Sequence, residues 1–167
     1  AYLKRNKCAR DKMFIQTKCA IHDGQYDFSK EHVISSVEGS LSRLGIDYVD
    51  MLLLHRPDTL MEPEEVAEAF DILETSGKVL NFGVSNHNPM QINLLKTAVK
   101  QPIMANQLQF SITESGMITS GMNANMTNSE SVMHDGSVLE YSRINNITIQ
   151  AWSPFQHGFF KGSYIDN

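Results

Sequence analysis

The chain has 167 residues, 41% of them hydrophobic, 20% charged and 8% aromatic, which is the composition of a globular core and excludes a disordered or fibrous polymer. Its net charge of -5, from 14 basic and 19 acidic residues with no basic cluster, argues against nucleic acid or an anionic membrane surface as the main partner. Apolar runs such as Met51-Leu52-Leu53-Leu54 fall far short of the roughly 18 residues that span a bilayer, and residues 1–10 are basic rather than hydrophobic, so a soluble, cytoplasmic protein is expected. Cys8 and Cys19 are too few for a disulfide framework or a Cys-rich metal site, and Cys19 reads as a buried thiol.

Along the chain, short apolar runs of strand length alternate with stretches whose apolar residues recur at helical spacing. Residues 13–18 read as a strand; after a polar loop, Val33, Val37, Leu41 and Leu44 mark a helix with Ser29 as N-cap and Gly45 as stop. The continuous apolar run at 49–55 suits a strand buried on both faces. Val66, Ala69, Phe70 and Leu73 mark a second helix that Pro63 opens and Gly77 ends. Residues 82–85 form a third short strand, Asn88-Pro89 opens a third helix carrying Ile92, Leu95 and Ala98, and residues 104–110 form a fourth strand. Residues 137–145 read as a fourth helix and 148–152 as a fifth strand, ended by Ser153-Pro154. Between them, residues 111–133 are polar and rich in Ser, Thr and Asn, and are expected to be a long loop without secondary structure, a candidate lid.

Strands separated by helices imply parallel crossovers and a helix-covered α/β sheet. The polar residues then fall in a pattern. Lys18, His55, Ser85 with Asn86, Gln107, and Trp152 with Ser153 stand at the C-terminal ends of successive strands, and a parallel architecture brings those ends to one rim, where barrels keep their active sites. Each also has a plain structural reading: a solvated lysine, a satisfied histidine, a turn signal before Pro89, an interior amide, a strand-end tryptophan. Their joint placement favours a site. No GxGxxG or GxxxxGK[ST] follows a strand, no GxSxG elbow is present, and His22, His32, His87, His134 and His157 are scattered, so no metal site is expected.

The motifs IQTK (15–18), SLSRLGIDYVDMLLLHRPD (40–58), GKVLNFGVSN (77–86), ANQ (105–107) and AWSP (151–154) together resemble the aldo-keto reductase family. The resemblance implies an eight-stranded (β/α) TIM barrel, here a partial one, with about five βα units matching the family's third to seventh strands in a single domain over residues 1–167. A barrel of this type has about 250 residues. It also implies an NADP(H)-dependent oxidoreductase that reduces an aldehyde or ketone, a small-molecule carbonyl substrate, by hydride transfer. Lys18 matches the lysine that stabilises a catalytic tyrosinate, and His55 the histidine at the substrate oxygen. Ser85, Asn86 and Gln107 match the nicotinamide carboxamide contacts, Trp152 the aromatic on which the ring stacks, and Ser153, Phe155 and His157 the loop beside the pyrophosphate.

The resemblance places the tyrosine itself in a DTAxxYG-like motif that does not occur before Met13, so residues 1–167 alone are expected to be inactive. Two other activities stay open at this point. A Schiff-base lyase would use Lys18 as an amine nucleophile, and a regulatory, cofactor-sensing subunit would keep the fold without turnover. A non-catalytic open α/β domain is a third reading.

Overall fold

The computed structural model describes residues 7–22, 24–132 and 134–154. A 3₁₀ turn at Lys7–Lys12 leads into β1 (Gln16–Cys19), and a short antiparallel hairpin follows, β2 (Ile21–His22) with β3 (Gln25–Tyr26). Then come α1 (Lys30–Leu44), β4 (Met51–Leu54), α2 (Pro63–Thr75), β5 (Phe82–Ser85), α3 (Pro89–Leu95) and β6 (Ile103–Gln109). Beyond β6 lie α4 (Gly116–Met122), α5 (Val138–Ile144) and β7 (Thr148–Trp152). The main sheet has the order β1-β4-β5-β6-β7 with every neighbouring pair parallel, so each strand is followed by its spatial neighbour across a helical crossover. Order and direction are those of a partial (β/α) barrel.

The helix boundaries follow local chemistry. Ser29 caps α1 by accepting the His32 amide, and Gly45 ends it at φ 67, a left-handed conformation that costs a residue without Cβ nothing. Pro63 occupies the first turn of α2, where no intrahelical donor is lost. Asn88 and Gln91 close a reciprocal capping box on α3.

Two cores result from the two faces of the sheet. Outward, Leu52, Leu54, Phe82 and Val84 pack against Val33, Val37, Leu41, Val66, Phe70 and Leu73 of α1 and α2, with the Phe70 and Phe82 rings 4.0 Å apart. Inward, Met51, Leu53 and Ala105 form a smaller cluster. All four residues of β4 are buried, as its uninterrupted apolar run requires. The N-terminal turn is tied to the loop before β4 by Arg10, whose guanidinium meets Asp50 Oδ2 at 2.8 Å, donates to the Met13 and Tyr48 carbonyls and covers the Tyr48 ring.

Three expectations need correction. The first strand begins at Gln16 rather than Met13, because the Met13 amide donates to Arg10 and the Ile15 amide to the Asp50 carboxylate instead of to a neighbouring strand. The polar stretch after β1 contains the hairpin β2–β3, too short to show an alternating pattern. Residues 111–133 are not structureless: they hold α4 and a 3₁₀ turn at Ser129–Ser131. Neither element buries a residue, so no apolar periodicity marked them in the sequence.

Candidate active site

Strand alternation decides which residues meet at the C-terminal rim. In β1, Gln16 and Lys18 share one face while Cys19 points to the helices. Register pairs Lys18 with Leu53, Ser85 with Gln107, Gln107 with Gln150, and Gln109 with Trp152. Paired residues in parallel strands project to the same side, so Lys18, Ser85, Gln107 and Trp152 all belong to the concave face. His55 follows β4 directly, and its amide donates to the Cys19 carbonyl.

Lys18, His55, Arg56, Ser85, Asn86 and Trp152 line one small cleft of about 200 Å³. Lys18 and His55 are both half-buried. Burial, and then the nearby Arg56 guanidinium, lowers the Lys18 pKa below that of an ordinary lysine. The His55 pKa is also lowered, chiefly by burial and further by Lys18 and Arg56. The imidazole is therefore neutral at neutral pH and able to donate one hydrogen bond.

The polar wall is a connected set of bonds. Asn86 sits at φ 60, a conformation asparagine tolerates better than most residues. Its amide Nδ2 donates to Ser85 Oγ (3.0 Å) and to the His55 carbonyl (3.3 Å), and its Oδ1 accepts from Trp152 Nε1 at 3.1 Å. Ser85 Oγ donates to the Gln107 carbonyl at 2.9 Å, and the same carbonyl accepts the Asn86 amide. Asn86 thus joins the tips of β4, β5, β6 and β7.

Nothing in the sequence marks His87 as part of this turn. It is fully buried, stacks on Phe28 with ring centroids 5.9 Å apart, and pairs through Nδ1 with the Ser85 carbonyl at 2.9 Å. Its own carbonyl accepts from Asn106 Nδ2. Burial pushes its pKa down to about 4. His87 follows Ser85-Asn86 directly, but position in a motif does not reveal burial.

The expected site residues divide by place. Lys18, His55, Ser85, Asn86 and Trp152 come together in the cleft. Gln107 is outside the set that lines it and stands beside Ser85 on the neighbouring strand, with Nε2 donating to Gln150 at 3.2 Å. Ser153 follows Trp152 at φ 51, outside the set that lines the cleft. Phe155 and His157 lie outside the described residues. Among the described residues no group of three or more His, Cys, Asp or Glu is disposed to hold a metal ion, and no helix is long and apolar enough to cross a membrane.

A nicotinamide carboxamide needs both donors and acceptors, and its ring needs a flat apolar face. The Ser85 hydroxyl and the Asn86 amide in the cleft, with the Gln107 amide on the adjacent strand and the Trp152 indole, are of these types, so the residues present fit such a group.

The sequence model described as "Aldo/keto reductase family" matches residues 1–167. A 6-dehydroglucose reductase from Agrobacterium fabrum is 36% identical, with 97% of this chain and 53% of that protein covered. The oxidoreductase YcsN from Bacillus subtilis, whose function is uncharacterized, is 38% identical over 89% of this chain and 48% of its own length. Among solved structures, an aldo-keto reductase from a Medee basin deep-sea metagenome library superposes with a TM-score of 0.65 at 26% identity, covering 89% of this chain and 46% of that one. The chain thus spans about half the length of the curated relatives it matches.

Proposed function

Because this chain belongs to the aldo/keto reductase family, we propose that the complete protein is an NADP(H)-dependent oxidoreductase that reduces aldehyde or ketone carbonyls to alcohols. The observation that carries the reading is the convergence of Lys18 and His55 on one cleft with Ser85, Asn86 and Trp152.

When bound, the nicotinamide supplies hydride to the carbonyl carbon. Negative charge then builds on the carbonyl oxygen, and the residues around the cleft answer it. His55, neutral because its pKa is lowered, donates a hydrogen bond to that oxygen and orients the substrate. The Lys18 ammonium favours the phenolate left when a tyrosine gives its proton to the oxygen. Among the described residues no tyrosine lines the cleft: Tyr48 lies under Arg10, and Tyr141 donates to Asn93. In this reading the tyrosine is not one of the described residues. Ser85, Asn86 and Gln107 hold the carboxamide, and Trp152 offers the stacking face that selects which side of the ring meets substrate.

The test compares the complete protein with its Lys18→Met variant for NADPH oxidation over an aldehyde panel that includes 6-dehydroglucose, the compound in the name of the Agrobacterium relative. Turnover should fall on the order of a hundredfold or more, with NADPH affinity changed little, because the ammonium acts on charge formed during reaction. An unimpaired variant would remove Lys18 from the chemistry.

A second reading, a Schiff-base lyase with Lys18 as the amine nucleophile, rests on the place of Lys18 in the cleft. Borohydride would trap substrate covalently on Lys18 in that case, without any nicotinamide.

A further inference from the structure

On the concave face, three glutamine side chains from the two outermost described strands of the sheet and from β6 form one chain of amides. Gln107 Nε2 donates to Gln150 Oε1 at 3.2 Å, and Gln16 Nε2 donates to the same oxygen at 3.1 Å. Gln150 Nε2 returns a bond to Gln16 Oε1 at 3.1 Å and approaches the Met51 thioether sulfur at 3.9 Å. Gln107 Oε1 has no intramolecular partner among the described residues.

A primary amide has a donor end and an acceptor end of nearly equal shape, so its orientation is set by its partners. Gln150 presents an oxygen to Gln107, which forces Nε2 of Gln107 toward it and turns Oε1 away. The reciprocal Gln16–Gln150 pair would satisfy itself equally well if both amides were reversed. Met51 breaks that symmetry. A thioether accepts and does not donate, so the NH₂ of Gln150 belongs on the sulfur side and its oxygen on the Gln107 side.

We propose that Gln150, oriented by Gln16 and Met51, is a positioning residue that holds the Gln107 amide with its oxygen free to accept from the NH₂ of the nicotinamide carboxamide. This rests on the proposed NADP(H) reading of the cleft. Gln150 touches neither the cofactor nor the reacting atoms; it acts through Gln107. Without it the Gln107 amide would rotate between two orientations, one of which sets donor against donor.

Calorimetric titration of the complete protein with NADPH and, separately, with adenosine 2′,5′-bisphosphate, which lacks the nicotinamide, tests this. Gln150→Leu should weaken NADPH binding at least fivefold and leave the bisphosphate within twofold of wild type. In a double-mutant cycle, Gln107→Leu/Gln150→Leu should bind NADPH no more weakly than Gln107→Leu alone, because the second residue works only through the first. Gln16→Leu, at the far end of the chain of amides, should give a smaller loss with the same ligand selectivity, which keeps the test decisive if Gln150→Leu does not fold.

Equal losses for both ligands, or additive losses in the cycle, would overturn the positioning role and leave a general structural one. Failure of wild type to bind NADPH while remaining folded would instead sink the cofactor reading on which the inference stands.

Discussion

Lys18 and Cys19 are neighbours in sequence with opposite surroundings. One side chain enters the cleft and has its pKa lowered; the other faces the helix layer, where burial pushes the thiol up to about 12 and leaves it unreactive. His87 is a second case of burial setting chemistry. Its pKa falls from an ordinary 6.5 to about 4 in the folded protein. Between those values the unfolded chain binds a proton that the folded one refuses, so the contribution is intact above pH 6.5 and lost as pH falls toward 4. At about 1.4 kcal/mol per pKa unit the loss is on the order of 3 kcal/mol. Denaturant titrations of wild type and His87→Asn should therefore diverge in pH dependence across this window, with the variant flatter. Parallel profiles would show that His87 does not carry the effect.

Trp152 carries the other residue-scale prediction. In the complete protein, Trp152→Ala removes both the stacking face and the bond to Asn86, and NADPH affinity should fall roughly tenfold. Trp152→Tyr keeps an aromatic face and should stay close to wild type. If fluorescence-independent titration finds equal, large losses in both, the tryptophan is a packing residue.

At the scale of elements, β5 shows how close approach constrains sequence. A Cβ on Gly83 would lie 2.6 Å from Leu53 Cδ2 and 2.7 Å from the Ala105 carbonyl oxygen. The leucine tip can swing away; the backbone of β6 cannot move without breaking its ladder. Gly83→Ala is expected to cost about 1–3 kcal/mol and to disturb Ser85, two residues along the same strand, so chemical denaturation and NADPH titration should both register it. A variant as stable as wild type would mean that β5 and β6 can separate. The same elements show where pattern reading succeeds: β4, α1, α2 and α3 carry long apolar periods or explicit caps and lie close to their expected places. The failures, the hairpin β2–β3 and α4, are short, exposed and without a buried stripe.

For the whole molecule, the outer strands β1 and β7 each have a single strand partner in the sheet among the described residues. Unpaired edges are templates for association, and barrel closure removes them. Residues 1–167 produced alone should therefore self-associate, seen by light scattering, and show little or no NADPH-dependent carbonyl reduction beside the complete protein. A monodisperse and fully active 1–167 would overturn both the edge argument and the assignment of the proton donor to a residue outside it.

The α/β class and the placement of Lys18, His55, Asn86 and Trp152 at strand ends are legible along the chain, because period and strand length are local properties. Which of them share a cleft, that Gln107 stands outside its lining, that Asn86 ties four strand tips together and that His87 is buried all depend on tertiary contacts. These are facts about side chains from residues far apart in sequence, such as Gln16 and Gln150, meeting on the concave face. Their hydrogen-bond partners are set by sheet register and curvature, which no local pattern encodes.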